Sequence, residues 1–473
     1  MVFSSLIFLF YFLPIVMIAY FFSPPKVRNI IILVSGIVFY AWGEPFYILI
    51  MLLSTAIDYT AGRLIDKYDK NEKLRRLCLI VSVCVNLGLL SVFKYGSFFI
   101  TNINALLGTN IHDPQLPLPI GISFYTFQSM SYTIDLYMRK IKVQKNFFSF
   151  AAYVTLFPQI VAGPIVRYED VAKEIDDRSV TIGKVSEGIA VFLKGLGKKV
   201  LLANNIGLVW SQIKAMDYSS ISALTAWIGI LAFTFQIYFD FSGYSDMAVG
   251  LGKMLGFNFP KNFDHPYISK SVSEFWRRWH ITLGAWFRSY VYIPLGGNRK
   301  GKARQIFNMF VVWALTGLWH GASWNFVLWG LYFFVLLVIE KLFLGRFFDA
   351  HRGIGRFCTL AAVYFGWIFF KFTDMSLIGT VLKGMFCFNG NPISTYEARS
   401  FALGYVLFFI IAVLACTPLA KNIGIQLKKR AAVSVAANAV NTVSAVIMPA
   451  FMFVLSCLSL VGDSYNPFLY FQF

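Results

Sequence analysis

Apolar residues run along this chain in long blocks, with polar residues confined to short stretches between them. A helix that crosses a bilayer needs ~20 mostly apolar residues. Blocks near that length fall at 5–22, 29–42, 45–59, 77–94, 118–137, 147–166, 188–210 and 224–249, and again at 306–319, 324–339, 357–370, 401–419 and 443–460. The pattern predicts an all-α, polytopic integral membrane protein with about 11 transmembrane helices and a few re-entrant or interfacial ones. The weakest stretch is 147–202, where Lys194, Lys198 and Lys199 interrupt an apolar run. A broken or interfacial helix is expected there. Basic clusters at 63–76, 139–145, 253–304, 341–356 and 421–430 alternate with the predicted crossings as cytoplasmic loops do. The first 25 residues carry no charge, and Lys26 and Arg28 follow the first apolar block. A signal peptide has the opposite order, so this block reads as a retained helix with its N-terminus outside.

Composition excludes the soluble classes. Hydrophobic residues make up 58% of the 473, and charged residues only 14%, against about 25% charged in a soluble domain. Forty-two Lys and Arg against 23 Asp and Glu give a net charge of +19. In a membrane protein such an excess faces anionic lipid. With no soluble domain to carry it, no nucleic-acid role follows. The six cysteines form no CxxC pair, and no HExxH, GxxxxGK[ST] or GxSxG motif occurs. Metal, nucleotide-loop and serine-hydrolase chemistry therefore has no signature here.

Ionisable residues inside apolar segments are costly and are functional candidates by default. His320 is the only histidine in the uncharged window 305–339, flanked by Gly317 and Gly321. A neutral imidazole survives in an apolar wall and takes a proton from a hydroxyl near neutral pH. A core histidine hydrogen-bonded between helices fits the same pattern. His280 follows Arg277, Arg278 and Trp279 in an aromatic, basic stretch. Arginines there suit the phosphates of a cytosolic donor or those of lipid head groups. A passive interfacial anchor has the same composition. Asp240 and Asp246 invite pairing with an arginine or a histidine. Six residues apart, they do not share one helical face.

Three blocks resemble the membrane-bound O-acyltransferase family, closest to its alginate O-acetyltransferase membrane-subunit branch. They are FDFSGYSDMAVGLG (239–252), EFWRRWHITLGAWFRSYVYIPLGGNRK (274–300) and LTGLWHGASWNFVLWG (315–330), supported by GPIVRY (163–168) and YNPF (465–468). The resemblance implies one transmembrane domain over 1–473, with a tunnel-bearing catalytic core about 118–345 and flanking helices 1–117 and 346–473. It implies His320 as the catalytic residue, with His280 at the family's second histidine position. Arg277, Arg278, Trp279 and Asn325 are the candidates for donor binding, with Asn325 or a nearby tryptophan N–H holding the thioester oxygen. The implied donor substrate is acetyl-CoA, with no metal. The implied acceptor is an exported polysaccharide, reached from the bacterial cell (plasma) membrane through an extracytoplasmic lipase-like acetyltransferase. Two alternatives stay open. One is the family's D-alanyl transfer to teichoic acids from a carrier protein, and the other a polymer or lipid transporter without chemistry. The aromatic terminus 468–473 reads as a lipid-facing anchor.

Overall fold

The computed structural model describes the whole chain except residues 433, 463, 464, 468 and 470–473. Among the described residues there are helices and loops and no strand. They form two compact units. The first comprises Met1–Phe192, Ser245–Lys261 and Arg288–Val291, and the second Leu193–Tyr244, Asn262–Phe287 and Tyr292–Phe473.

Among the described residues six helices are long and apolar enough to cross a membrane: Ile48–Lys67, Glu72–Leu107, Ala223–Met254, Trp324–Ala350, Arg352–Lys371 and Val435–Gly462. A seventh is gained if Tyr396–Gly404 and Val406–Ala415, bent by 51°, form one span. Shorter apolar helices occur at Phe8–Phe22 and Met375–Met385. The chain is a multi-pass, all-helical membrane protein, as the apolar blocks predict. Ala223–Met254 is the most enclosed of the long helices, with 83% of its apolar stretch buried, against 6% for Val435–Gly462. The first therefore presents side chains to protein and the second to lipid.

Two blocks fold differently from their expected outline. Residues 147–166 are not one helix: Phe147–Val154 is helical, and the chain then continues without helix, buried, to Val166. Pro158 and the Gly163–Pro164 pair explain the break, because proline has no N–H to donate and clashes with the preceding turn. Side chains satisfy part of that buried backbone. Tyr153 OH donates to the Val166 carbonyl at 2.9 Å, and Gln159 Nε2 to the Tyr153 carbonyl at 2.5 Å. The lysine-bearing stretch, by contrast, stays helical: Ile182–Gly197 runs through a wider-wound turn, Lys198–Asn204, into Asn205–Lys214.

In the second unit, Gly301–His320 and Trp324–Ile339 form a tight helical hairpin. A Cβ built on Gly317 would lie 2.4 Å from the Phe326 carbonyl oxygen, and one on Gly330 2.4 Å from that of Trp313. Small residues let the two backbones touch. Gly330→Ala is accordingly expected to destabilise the protein by about 1–3 kcal/mol through overpacking. The check is the thermal midpoint in detergent; an unchanged midpoint would mean the backbones have room to spare.

Candidate functional site

The histidine cluster lies in the second unit. His320 is the last residue of the Gly301–His320 helix, and Gly321 follows in extended conformation. The Phe326 ring crowds Gly321 so closely that a Cβ would come within 2.2 Å of it. Only a residue without a side chain turns the chain there. The helix therefore ends at Gly321. His320 is 5% exposed. Its ring meets Trp329 at 4.9 Å, Trp319 at 5.0 Å and Phe370 at 5.3 Å between centroids, each near perpendicular.

Asn325 sits on the returning helix, fully buried. Its Nδ2 donates to the carbonyls of Phe369 (3.1 Å) and Phe370 (3.4 Å). These belong to the end of Arg352–Lys371, where helical carbonyls lack intrahelical partners. Asn325 therefore fixes the strand of backbone that carries Phe370, and its amide hydrogens are committed to that task.

His280 joins two short helices, Val272–Arg278 and Ile281–Phe287. Ser271 caps the first by accepting from Glu274 N. The buried Glu340 carboxylate adds bonds from Val272 N (2.6 Å) and Ser273 N (3.2 Å), a favourable anion at a helix N-terminus. His280 itself has φ +45°, in the left-handed region that is uncommon for residues with a side chain. Its Nδ1 lies 3.1 Å from Asn262 Oδ1, which also accepts from Thr282 N at 3.3 Å and Thr282 Oγ1 at 3.0 Å. A backbone N–H can only donate, so the Asn262 atom is the carbonyl oxygen. Nδ1 then carries the ring proton and Nε2 the lone pair. Phe241 packs on the ring at 4.8 Å and Trp319 at 5.7 Å. Trp319 thus touches both histidines.

His280 lies outside the long apolar helices, and burial pushes it down to about 3, so it is neutral at pH 7. Its unfolded value is about 6.5. The stability it contributes is therefore intact above about pH 6.5 and lost as the pH falls toward 3. His280→Gln is expected to flatten the acid side of the stability profile. Identical slopes for variant and parent, followed by thermal unfolding between pH 7 and 4, would contradict this.

The donor-binding candidates separate. Arg278 is committed: its Nε donates to Glu274 Oε1 at 2.9 Å and its Nη1 to the Asp264 carbonyl at 3.0 Å. Trp279 is buried among Phe263, Phe275 and Trp367, the last at 4.9 Å. Arg277 is exposed, which leaves it the member of the trio that faces outward.

Asp240 has neither an arginine nor a histidine as its ion partner. It meets Lys199 at 2.7 Å, with both side chains 2% exposed. Lys199 Nζ also donates to Asn204 Oδ1 at 2.9 Å and to the Pro467 carbonyl. Asp240 Oδ2 accepts from Leu469 N at 2.8 Å, and Tyr465 OH donates to the Gly207 carbonyl at 2.9 Å. The FDFSGYSD and YNPF blocks are therefore held together through a lysine that neither contains. Of the terminus expected to be a lipid-facing anchor, Leu469 is 4% exposed, and 468 and 470–473 lie outside the described residues. Among the described residues no group of three or more His, Cys, Asp and Glu side chains is placed to hold a metal ion.

A sequence model of the membrane-bound O-acyltransferase family matches residues 34–379. The chain belongs to that family. It is 37% identical to a probable alginate O-acetylase of Pseudomonas putida and 35% identical to one of Azotobacter vinelandii, each alignment covering 100% of both chains. It is 32% identical to a peptidoglycan O-acetyltransferase of Helicobacter pylori, over 82% of this chain and 80% of the relative. As a member of the family the chain is an O-acyltransferase, and both histidines of the cluster fall within the matched residues.

Three features of this acyltransferase escaped sequence reading. Asn262 as the partner of His280, Glu340 as the anchor of Val272–Arg278, and Lys199 as the partner of Asp240 all lie far from the residues they serve. Each is a polar residue in or beside an apolar stretch, and that was the available signal.

Proposed function

We propose that this chain is a membrane O-acetyltransferase that moves an acetyl group from cytosolic acetyl-CoA toward hydroxyls of an exported cell-surface polysaccharide. The membrane is the bacterial cell membrane, with the N-terminus outside, and an extracytoplasmic lipase-like acetyltransferase completes the transfer. The observation that carries the reading is the placement of His320: a buried imidazole at a helix end, walled by aromatic rings and linked through Trp319 to a second buried histidine of fixed tautomer. The names of the relatives support a polysaccharide acceptor and an acetyl cargo.

In this reading His320 is the general base. It accepts the proton of the incoming hydroxyl as the oxygen attacks the thioester carbon, a task that contributes ~10²–10⁴-fold. The aromatic walls exclude water that would otherwise take the acyl group. His280 stays neutral and presents Nε2 from a ring held by Asn262. Arg277, exposed on the basic stretch, suits the phosphates of the nucleotide, which stays at the membrane surface while the thioester arm enters.

Membranes containing the protein, supplied with radiolabelled acetyl-CoA or with a D-alanyl-charged carrier protein, test the reading. Acetyl label is expected in the polymer, and none from the carrier. Label arriving from the carrier alone, or polymer movement with no covalent transfer, would overturn it.

A further inference from the structure

We propose that the indole N–H of Trp329, rather than Asn325, holds the carbonyl oxygen of the acyl donor during transfer; this deepens the acetyltransferase reading and rests on it. On the returning helix two groups are candidates for the role, one turn apart on the same face of Trp324–Ile339. Asn325 has spent its amide hydrogens on the carbonyls of Phe369 and Phe370, which leaves it an acceptor. Trp329 is fully buried, and its Nε1–H meets no hydrogen-bond partner among the described residues. A buried indole N–H ordinarily finds an acceptor, and a native group left without one calls for a reason. Here the reason is beside it, since the Trp329 ring stands 4.9 Å from that of His320. Trp276 at 5.4 Å and Phe333 at 5.3 Å pack on the indole and fix its plane. A donor held rigid in an apolar site before the reaction needs no reorganisation when charge develops.

The step balances as follows. The acceptor hydroxyl oxygen bonds to the thioester carbon while its proton passes to His320. The carbonyl electron pair moves onto oxygen, and Trp329 N–H donates to that oxyanion. Collapse restores the carbonyl, breaks the carbon–sulfur bond and returns the proton from His320 to the departing thiolate. The products are the ester and the free thiol.

The test uses full-length protein in membranes of the producing cells, with radiolabelled acetyl-CoA as probe. Trp329→Phe keeps an aromatic ring and removes the N–H. Benzothienylalanine at 329 replaces only the N–H by sulfur, which guards against misfolding of the phenylalanine variant. Loss of one such donor lowers kcat by about 10²–10³-fold, and both variants are expected to fall in that range with the KM for acetyl-CoA nearly unchanged. A kcat within about two-fold of the parent in the benzothienyl protein would overturn the assignment. His320→Ala in the same assay separates the two claims. If it is inactive while the benzothienyl protein turns over normally, only Trp329 is misassigned; if His320→Ala itself turns over normally, the parent reading fails.

Discussion

Replacing His320 with alanine lowers acyl transfer by about 10²–10⁴-fold, the range that a positioned general base contributes, while the protein still inserts and accumulates. The expectation follows from placement. His320 ends its helix at the one position where the hairpin reverses, 5% exposed and ringed by Trp319, Trp329 and Phe370. No carboxylate or lysine lies in the surrounding window 305–339 to take over proton transfer. His320→Gln controls for packing, since it keeps most of the volume and a polar end but no base of suitable basicity. Both variants should elute from a sizing column in detergent as the parent does. Substantial turnover by purified His320→Gln would remove the imidazole from the chemistry.

The second large effect is structural. Lys199→Met or Asp240→Leu alone leaves one charge buried without its counter-ion, which costs about 3–5 kcal/mol. Either single variant is expected to accumulate poorly and to unfold at a much lower temperature. The double variant Lys199→Met/Asp240→Leu should recover most of that loss, because apolar groups of similar volume often replace a buried pair at little penalty. The recovery has a limit: Lys199 Nζ also bonds the Pro467 carbonyl, and Asp240 Oδ2 also accepts from Leu469 N. The terminal segment should therefore be cleaved faster by added protease in the double variant than in the parent. Thermal unfolding of the four proteins checks the first point, and single variants as stable as the parent would refute it.

The sequence announced the architecture because a bilayer leaves the backbone little choice. Apolar blocks that face lipid over a crossing length must be helices, and the long helices from Ile48–Lys67 to Val435–Gly462 fall on such blocks, whereas the buried block 147–166 is broken after Val154. His320 was legible for the same reason, as the only histidine in an uncharged window. What stayed hidden depends on distance along the chain. Nothing in the spacing of residues 262 and 280 announces that a loop asparagine sets the tautomer of His280. Asp240 and Lys199 stand 41 positions apart in different helices, so the ion pair came from tertiary packing and not from a helical repeat. Arg278 looked available because its guanidinium is always charged. Only coordinates reveal that Glu274 and Asp264 already occupy it. Asn325 is the converse case. Its amide suggested a donor for the thioester oxygen, whereas the fold spends that amide on a helix end.

The most direct measurement uses sealed vesicles of known orientation, with radiolabelled acetyl-CoA supplied only on the outside. Inside-out vesicles, which expose the cytosolic face, should pass label to polymer or partner protein within the lumen. Right-side-out vesicles and inside-out vesicles carrying His320→Ala should not. Equal labelling from both orientations, or undiminished labelling in the alanine variant, would contradict transfer across the membrane through this histidine.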